Sequence, residues 1–169
     1  MVDNIGDWWG IVGKISDQWY GRGSKQMFQG EFSNNMDDKG RVSIPAAFRD
    51  TLKSCHAEAS IVITRTPHSR CLVAYPMREW KRLQQKIAAT PPSEALRAYK
   101  RIVISSAQEF LPDRQGRVLL SAALRDYALL DRAVQFLGAG ETFEIWDKGS
   151  WDKQLEADLA LAQNFELGL

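Results

Sequence analysis

Asp37-Asp38-Lys39-Gly40-Arg41-Val42-Ser43-Ile44-Pro45-Ala46-Ala47-Phe48-Arg49 returns later in the chain as Asp113-Arg114-Gln115-Gly116-Arg117-Val118-Leu119-Leu120-Ser121-Ala122-Ala123-Leu124-Arg125. Both stretches read Asp-x-x-Gly-Arg, continue through apolar residues and enter a short helical segment with Arg at the same place. A matched repeat of this length makes the chain two copies of one unit. Each copy predicts a tight turn. Gly supplies a backbone position with positive φ, and the Asp carboxylate accepts backbone N–H groups and holds the turn shut.

Working outward, the first copy predicts a strand at Gln29–Asn34, the turn, a strand at Arg41–Ile44 and a helix from Pro45 to Lys53. Ile- and Val-rich strands follow at Ser60–Thr64 and Cys71–Tyr75. Pro76 then opens a helix with Met77, Trp80, Leu83 and Ile87 on one face. Thr90-Pro91-Pro92-Ser93 breaks the chain, and Ser93 is placed to cap a connecting helix from Glu94 to about Ile102. The second copy repeats the order: strand Ala107–Leu111, turn, strand Arg117–Leu120, helix Ser121–Leu129, strands Ala133–Leu137 and Thr142–Trp146, and a last helix carrying Trp151, Leu155 and Leu159. Tyr75-Pro76 with Trp80 matches Trp146-Asp147 with Trp151, so the correspondence runs well past the turn. The second copy is five residues shorter between Gly and that Trp. The Cys55–Arg70 region is where the difference is expected.

Residues 1–26 are unlike the rest, with Trp8, Trp9, Trp19 and Tyr20 beside Gly21-Arg22-Gly23-Ser24 and no amphipathic period. The expectation is that Met27 is the natural start, or that this segment is a mobile arm. The composition, 44% hydrophobic and 25% charged, is that of a folded soluble protein. No apolar run approaches a membrane span, and Met1-Val2-Asp3-Asn4 does not begin a secretory signal, so a cytoplasmic location is expected. The net charge of +1 hides segregation. Residues 78–101 hold seven cations against Glu79 and Glu94, whereas residues 139–169 hold seven acids against Lys148 and Lys153. Local field then matters more than the sum, and an anionic partner remains open. The basic stretch reads first as a solvated face or subunit contact.

The chemistry concentrates at the turns. Arg41 follows Gly40 directly, so Asp37 can orient its guanidinium by a charge-assisted hydrogen bond, and Lys39 adds a second cation. A held guanidinium on a protruding hairpin reads phosphate or guanine, and a two-stranded ribbon enters a major groove. The competing reading is an Asp37–Arg41 pair that only braces the hairpin. Cys55-His56 and His68-x-x-Cys71 supply four candidate zinc ligands, but adjacent Cys-His aims poorly at one metal and the usual paired spacing is absent, so no metal or other cofactor is expected. No phosphate-binding glycine loop, Gly-x-Ser-x-Gly or His-Glu-x-x-His is present, and Lys39 and Arg41 would hold Asp37 and Asp38 ionised, so the chain does not read as an enzyme.

From Met27 to about Phe165 the sequence resembles the MraZ family of bacterial transcription regulators, which are built from two SpoVT/AbrB-like domains. The residues that carry the likeness are Met27-Phe28-x-Gly30, Asp37-x-Lys39-Gly40-Arg41-x-Ser43-Ile44-Pro45, Cys71-Leu72-x-Ala74-Tyr75-Pro76-x-x-Glu79-Trp80, Asp113-x-x-Gly116-Arg117 and Phe143-Glu144-Ile145-Trp146-Asp147. The resemblance implies an α+β fold in which the two units form a swapped-hairpin barrel as an internal pseudo-dimer, flanked by helices. It places a first unit at 27–90, a linker helix at 91–102 and a second unit with a C-terminal helix at 103–169. It further implies a ring-shaped homo-oligomer that binds short repeated boxes in double-stranded promoter DNA upstream of the division and cell-wall genes, usually repressing them, at the nucleoid. No membrane or small-molecule partner is implied. The family's motif falls on Asp37 with Arg41 and Asp113 with Arg117, with Lys39, Gly40, Gln115 and Gly116 in the DNA-facing turns. The second copy departs from the first: Gln115 replaces Lys39, Arg114 replaces Asp38, and Ser121 replaces Pro45, so that its helix starts by capping. The alternative within the same fold is an antitoxin-like or oligomeric interaction module. The discriminator is the C-terminal segment: Trp151–Phe165 reads as an acidic amphipathic helix rather than an extended tail.

Overall fold

The computed structural model describes residues 27–55 and 59–167. The expectations for residues 1–26 and for His56 therefore lie outside the described residues. Among the described residues eight strands and five helices follow in order: β1 (Glu31–Asn35), β2 (Arg41–Ser43), α1 (Ala46–Cys55), β3 (Ile61–Arg65), β4 (Leu72–Pro76), α2 (Met77–Ala89), α3 (Glu94–Val103), β5 (Gln108–Phe110), β6 (Arg117–Leu119), α4 (Ala122–Tyr127), β7 (Ala133–Gly138), β8 (Phe143–Asp147) and α5 (Lys148–Ala162). The class is α+β and every strand pair is antiparallel.

The pairing joins the two copies at every level. One sheet runs β1-β7-β8-β4-β3-β5 and a second consists of β2 and β6 alone. The first strand of each copy pairs with the third strand of the other: β1 with β7, and β5 with β3. The second strands pair with each other, and so do the fourth strands, β4 and β8. The hairpin expected from each turn's own flanking strands is thus replaced: among the described strands β1 shares no ladder with β2, and the two-stranded ribbon takes one strand from each copy. The cause is burial. Phe32, Val42, Val118 and Phe136 face one shared core, which neither copy's strands could enclose alone.

That core runs through both copies, from Phe28, Phe48 and Leu52 to Leu120, Leu124, Phe143 and Ile145. Its centre is aromatic: Phe48 and Phe143 lie 4.9 Å apart, with Phe28 at 5.4 Å and 5.1 Å from them. A second cluster of Val62, Trp80 and Val103 holds α2 and α3 over the outer face of β3, with Tyr99 and Ile102 against it. The Ser93 hydroxyl accepts from Leu96 N at 3.0 Å, so α3 starts at the cap the sequence marks. Its far end is held by buried Thr64, whose hydroxyl donates to Val103 O and lies 2.9 Å from Ser106 Oγ. Two turn residues behave differently from expectation. Pro45 precedes α1 rather than occupying its first position, and its carbonyl accepts from Phe48 N and Arg49 N. Ser121 sits at the N-cap of α4 but makes no capping bond, and its hydroxyl instead accepts from Gln108 Nε2 at 2.9 Å.

The equivalence of the aromatic pairs holds in space: Tyr75–Trp80 ring centroids are 5.6 Å apart and Trp146–Trp151 5.7 Å. The helices they begin are unlike. α2 buries Glu79, Trp80 and Ile87, whereas α5 buries no residue. The expected amphipathic packing of α5 is therefore corrected. It is anchored near its start by Trp151 Nε1, which donates to Glu31 Oε1 at 3.0 Å, and then leaves Leu159 and Leu161 exposed. The five-residue difference between copies falls mostly in the first helix, since α1 has ten residues and α4 six.

Candidate functional site

The two turns have one geometry. In the first, Gly40 N donates to Asp37 O at 2.9 Å and Asp37 N to Arg41 O at 2.9 Å; in the second, Gly116 N and Asp113 N make the same bonds at 2.8 and 2.9 Å. Gly40 at φ 85° and Gly116 at φ 76° adopt the left-handed conformation that closes the loop. Asp37 Oδ1 accepts from Lys39 N and Arg41 N, each at 2.9 Å, while Oδ2 accepts from Arg41 Nε at 2.7 Å. Asp113 does the same for Gln115 N, Arg117 N and Arg117 Nε, all at 2.9 Å. Each carboxylate thus spends one oxygen on the turn and the other on the guanidinium. Hydrogen bonds from the Arg41 backbone, then from its side chain, hold the Asp37 carboxyl below its ordinary value of 3.8, and the Arg117 backbone leads the same effect on Asp113.

These pairs lie on one surface. In the ribbon Arg41 stands opposite Leu119 and Arg117 opposite Ser43, with Val42 opposite Val118 between them. The valines are buried, so strand alternation turns both arginines outward on the same face. They are diagonal neighbours, about 7–8 Å apart at the backbone. Arg41, Arg117, Leu111 and Leu119 line a common shallow depression of about 300 Å³, with Leu111 and Leu119 well exposed. Lys39 and Gln115 are exposed at the two tips, and Gly40 and Gly116 are buried behind them. The ribbon also continues into the turns, since Leu120 N donates to Gly40 O at 3.0 Å and Ile44 N to Gly116 O at 2.9 Å. Each turn is thereby built partly by the other copy.

Sequence reading passed over the helix arginines. A side chain at Gly116 would come within 2.4 Å of Arg49 Cδ, and one at Gly40 within 2.8 Å of Arg125 Nε. Each helix arginine therefore lies against the glycine of the other copy's turn. Their conserved place in the repeat was the available signal; the crossing of partners was not readable. Arg49 Nε donates to Ile44 O at 3.2 Å, whereas Arg125 Nε is buried with no hydrogen-bond partner. Beside the second turn the longer α1 adds Leu52 and Lys53 to a cleft of about 240 Å³ shared with Arg49, Asp113 and Arg114.

Of the four residues weighed as zinc ligands, His56 and the Cys55 side chain lie outside the described residues. Cys71 is buried with its thiol pKa pushed up by that burial, and His68 is exposed. The basic stretch presents its cations on the outer faces of α2 and α3. Arg82 bridges Glu79 at 2.9 Å and Glu141 at 3.3 Å, which raises its pKa, chiefly through Glu79. No described helix is long and apolar enough to cross a membrane.

With both turns defined, the family comparison is decisive: the model described as "MraZ protein, putative antitoxin-like" matches residues 27–101 and again 103–166. The chain belongs to the MraZ family. Relatives named transcriptional regulator MraZ include one from Azoarcus sp. (strain BH72), 42% identical over 82% of this chain and 92% of its own. Another, from Aromatoleum aromaticum, is 43% identical over 80% of this chain and 90% of its own. A third, from Nitrosomonas europaea, is 40% identical over 77% and 87%. The two MraZ matches meet within the last turn of α3, and each contains one Asp-x-x-Gly-Arg turn.

Proposed function

We propose that this chain is a transcriptional regulator that binds double-stranded DNA through the outer face of the β2–β6 ribbon. The observation that carries the reading is the pair of outward guanidiniums, Arg41 and Arg117, each fixed by its own aspartate on a single ribbon. A guanidinium held this way loses little freedom when it meets a phosphate or the O6 and N7 edge of guanine, and a two-stranded ribbon is narrow enough for a major groove. Asp37 and Asp113 orient; Arg41 and Arg117 read; Lys39 and Gln115 extend the contact at the tips; Gly40 and Gly116 supply the left-handed backbone that sets those side chains in the DNA-facing turns. Leu119, exposed opposite Arg41 and two residues along the strand from Arg117, suits the methyl group of thymine.

The names of the relatives support regulation of transcription, with the protein acting in the cytoplasm at the nucleoid. The finer reading is repression of the division and cell-wall gene cluster through short repeated promoter boxes. The exchange of first and third strands supports a swapped-hairpin barrel in which residues 27–90 and 103–169 act as an internal pseudo-dimer, joined by the helix within 91–102. One ribbon makes few phosphate contacts, so repeated boxes call for several ribbons in one ring-shaped homo-oligomer. The exposed apolar residues of α5, with the basic outer face of α2 and α3, suit contacts between such subunits.

Selection of fragments of the source genome by the purified protein tests the reading. The expected result is a promoter carrying evenly spaced short repeats, and loss of its binding in Arg41→Ala with the oligomer intact. Recovery of no specific fragment would instead favour the interaction module of the same fold.

A further inference from the structure

Away from the ribbon, the end of β3, the β3–β4 loop and α4 bring two cations to one aromatic ring. The guanidinium carbons of Arg65 and Arg70 lie 5.1 and 5.0 Å from the centroid of Tyr127. The ring is fixed, because Tyr127 Oη donates to Thr66 O at 2.6 Å. Arg65 is steered by one bond from its terminal nitrogen to Ala123 O at 3.1 Å, and its Nε is buried without a partner. Among the described residues no carboxylate pairs with Arg65 or Arg70. Two like charges gathered on one ring and left unneutralised repel each other, and an anion beside them relieves that repulsion.

The location links this stack to the first turn. α4 carries Arg125, which lies against Gly40, and two residues further on Tyr127, which lies against Arg65 and Arg70. Positions two apart project from opposite flanks of a helix, so the stack and the first turn lie on either side of α4. A helix is about 10–12 Å across, and a duplex advances that far in about three base-pair steps. The matching place beside the second turn has no such feature. Repeat alignment puts Gly138, Glu141 and Thr51 where Arg65, Arg70 and Tyr127 stand, and Glu141 is engaged by Arg82.

We infer that the Arg65–Tyr127–Arg70 stack is a second phosphate-binding site, gripping the backbone of the duplex held at the first turn about three base pairs beyond the ribbon. The inference rests on the DNA-binding reading of the ribbon. It gives the molecule a polar footprint, with backbone contact extended on the side of Arg41 only. Phosphate contacts carry affinity without sequence preference, so this site adds grip and fixes orientation while the ribbon reads bases.

The test compares the intact protein with Arg70→Ala, Arg70→Lys and Arg41→Ala on two duplexes, one selected from the genome by the unaltered protein and one of shuffled sequence. Binding is measured over a series of salt concentrations. Arg70 is exposed, and thermal melting checks that each variant is folded. Arg70→Ala should lower the slope of log affinity against log salt by about 0.9, the value of one phosphate contact, and weaken both duplexes by the same factor. Arg70→Lys should recover most of the slope, which a purely structural brace would not do. Arg41→Ala should chiefly erase the preference for the selected duplex. An unchanged slope in Arg70→Ala, with the intact protein binding normally, overturns the second site and leaves the ribbon reading standing. Failure of the intact protein to bind either duplex removes both.

Discussion

At the first turn Arg41 meets Asp37 at 2.7 Å, Lys39 stands at the tip, and Arg125 lies behind Gly40 with an unpartnered Nε. At the second turn Arg117 meets Asp113 at 2.9 Å, Gln115 stands at the tip, and Arg49 lies behind Gly116 tied to Ile44 O. The backbones are the same and the flanks are not. The helix arginine of the second turn is tied to a backbone carbonyl, whereas the buried Nε of the one at the first turn has no such bond.

The comparison breaks most visibly at the paired tryptophans. Trp80 is buried on the inner face of α2, so Trp80→Ala should cost about 3–5 kcal/mol, whereas Trp151→Ala removes one hydrogen bond and the ring contact with Trp146 at the start of an exposed helix, about 2 kcal/mol. Denaturant unfolding of the two variants checks this; equal losses would mean that α5 is as firmly packed as α2.

Next in size is the contrast at the ribbon. Arg41→Ala should weaken operator binding about 100-fold and Arg117→Ala about tenfold, within the ~1–3 kcal/mol that a base-reading arginine carries. Titrations at one moderate salt concentration decide it. Equal losses would make the turns equivalent readers in spite of Lys39 and Gln115.

The glycines give a smaller and opposite ordering. A Cβ at either position is strained by the positive φ, at about 1–2 kcal/mol. Gly116→Ala should be the worse in thermal melts, because it also displaces Arg49 from Ile44 O, while Arg125 has no such bond to lose. The reverse order would show that the Leu120 carbonyl, 3.1 Å from a Cβ at Gly40, matters more.

The smallest contrast concerns pH. A carboxyl whose folded pKa is depressed contributes stability above its ordinary value of 3.8 and loses it as pH falls through the lower folded value. Asp37 and Asp113 should therefore leave stability unchanged between about pH 5 and 8 and weaken both turns only below about pH 4. Carboxyl titration by NMR should place both midpoints under 3.8. A midpoint above it for Asp113 alone would separate the two turns.

Much of this was legible in the chain. The repeat, the glycine turns, the Ser93 cap and the Tyr75–Trp80 and Trp146–Trp151 pairs are local features, and local features are written as residue type and spacing. The errors have particular causes. Ser121 has the chemistry of a cap, but Gln108, thirteen residues earlier, takes its hydroxyl. Leu155 and Leu159 have helical spacing, yet no second layer covers α5. Spacing reports which residues share a face and does not say whether anything faces them.

By itself the sequence determined that two equivalent units exist, that each closes a turn on Gly40 or Gly116, and that Arg41 and Arg117 stand next to an orienting aspartate. These outcomes depend on bonds within five residues. Only the tertiary structure decided that β2 pairs with β6 and that Arg49 and Arg125 cross to the opposite turns. It alone also gathered Arg65 and Arg70 on Tyr127, placing them on the side of the first turn. Those choices are made by the shared core: the inward faces of Val42 and Val118 are satisfied only when the two copies are interleaved, and interleaving carries each helix arginine to the other copy's turn.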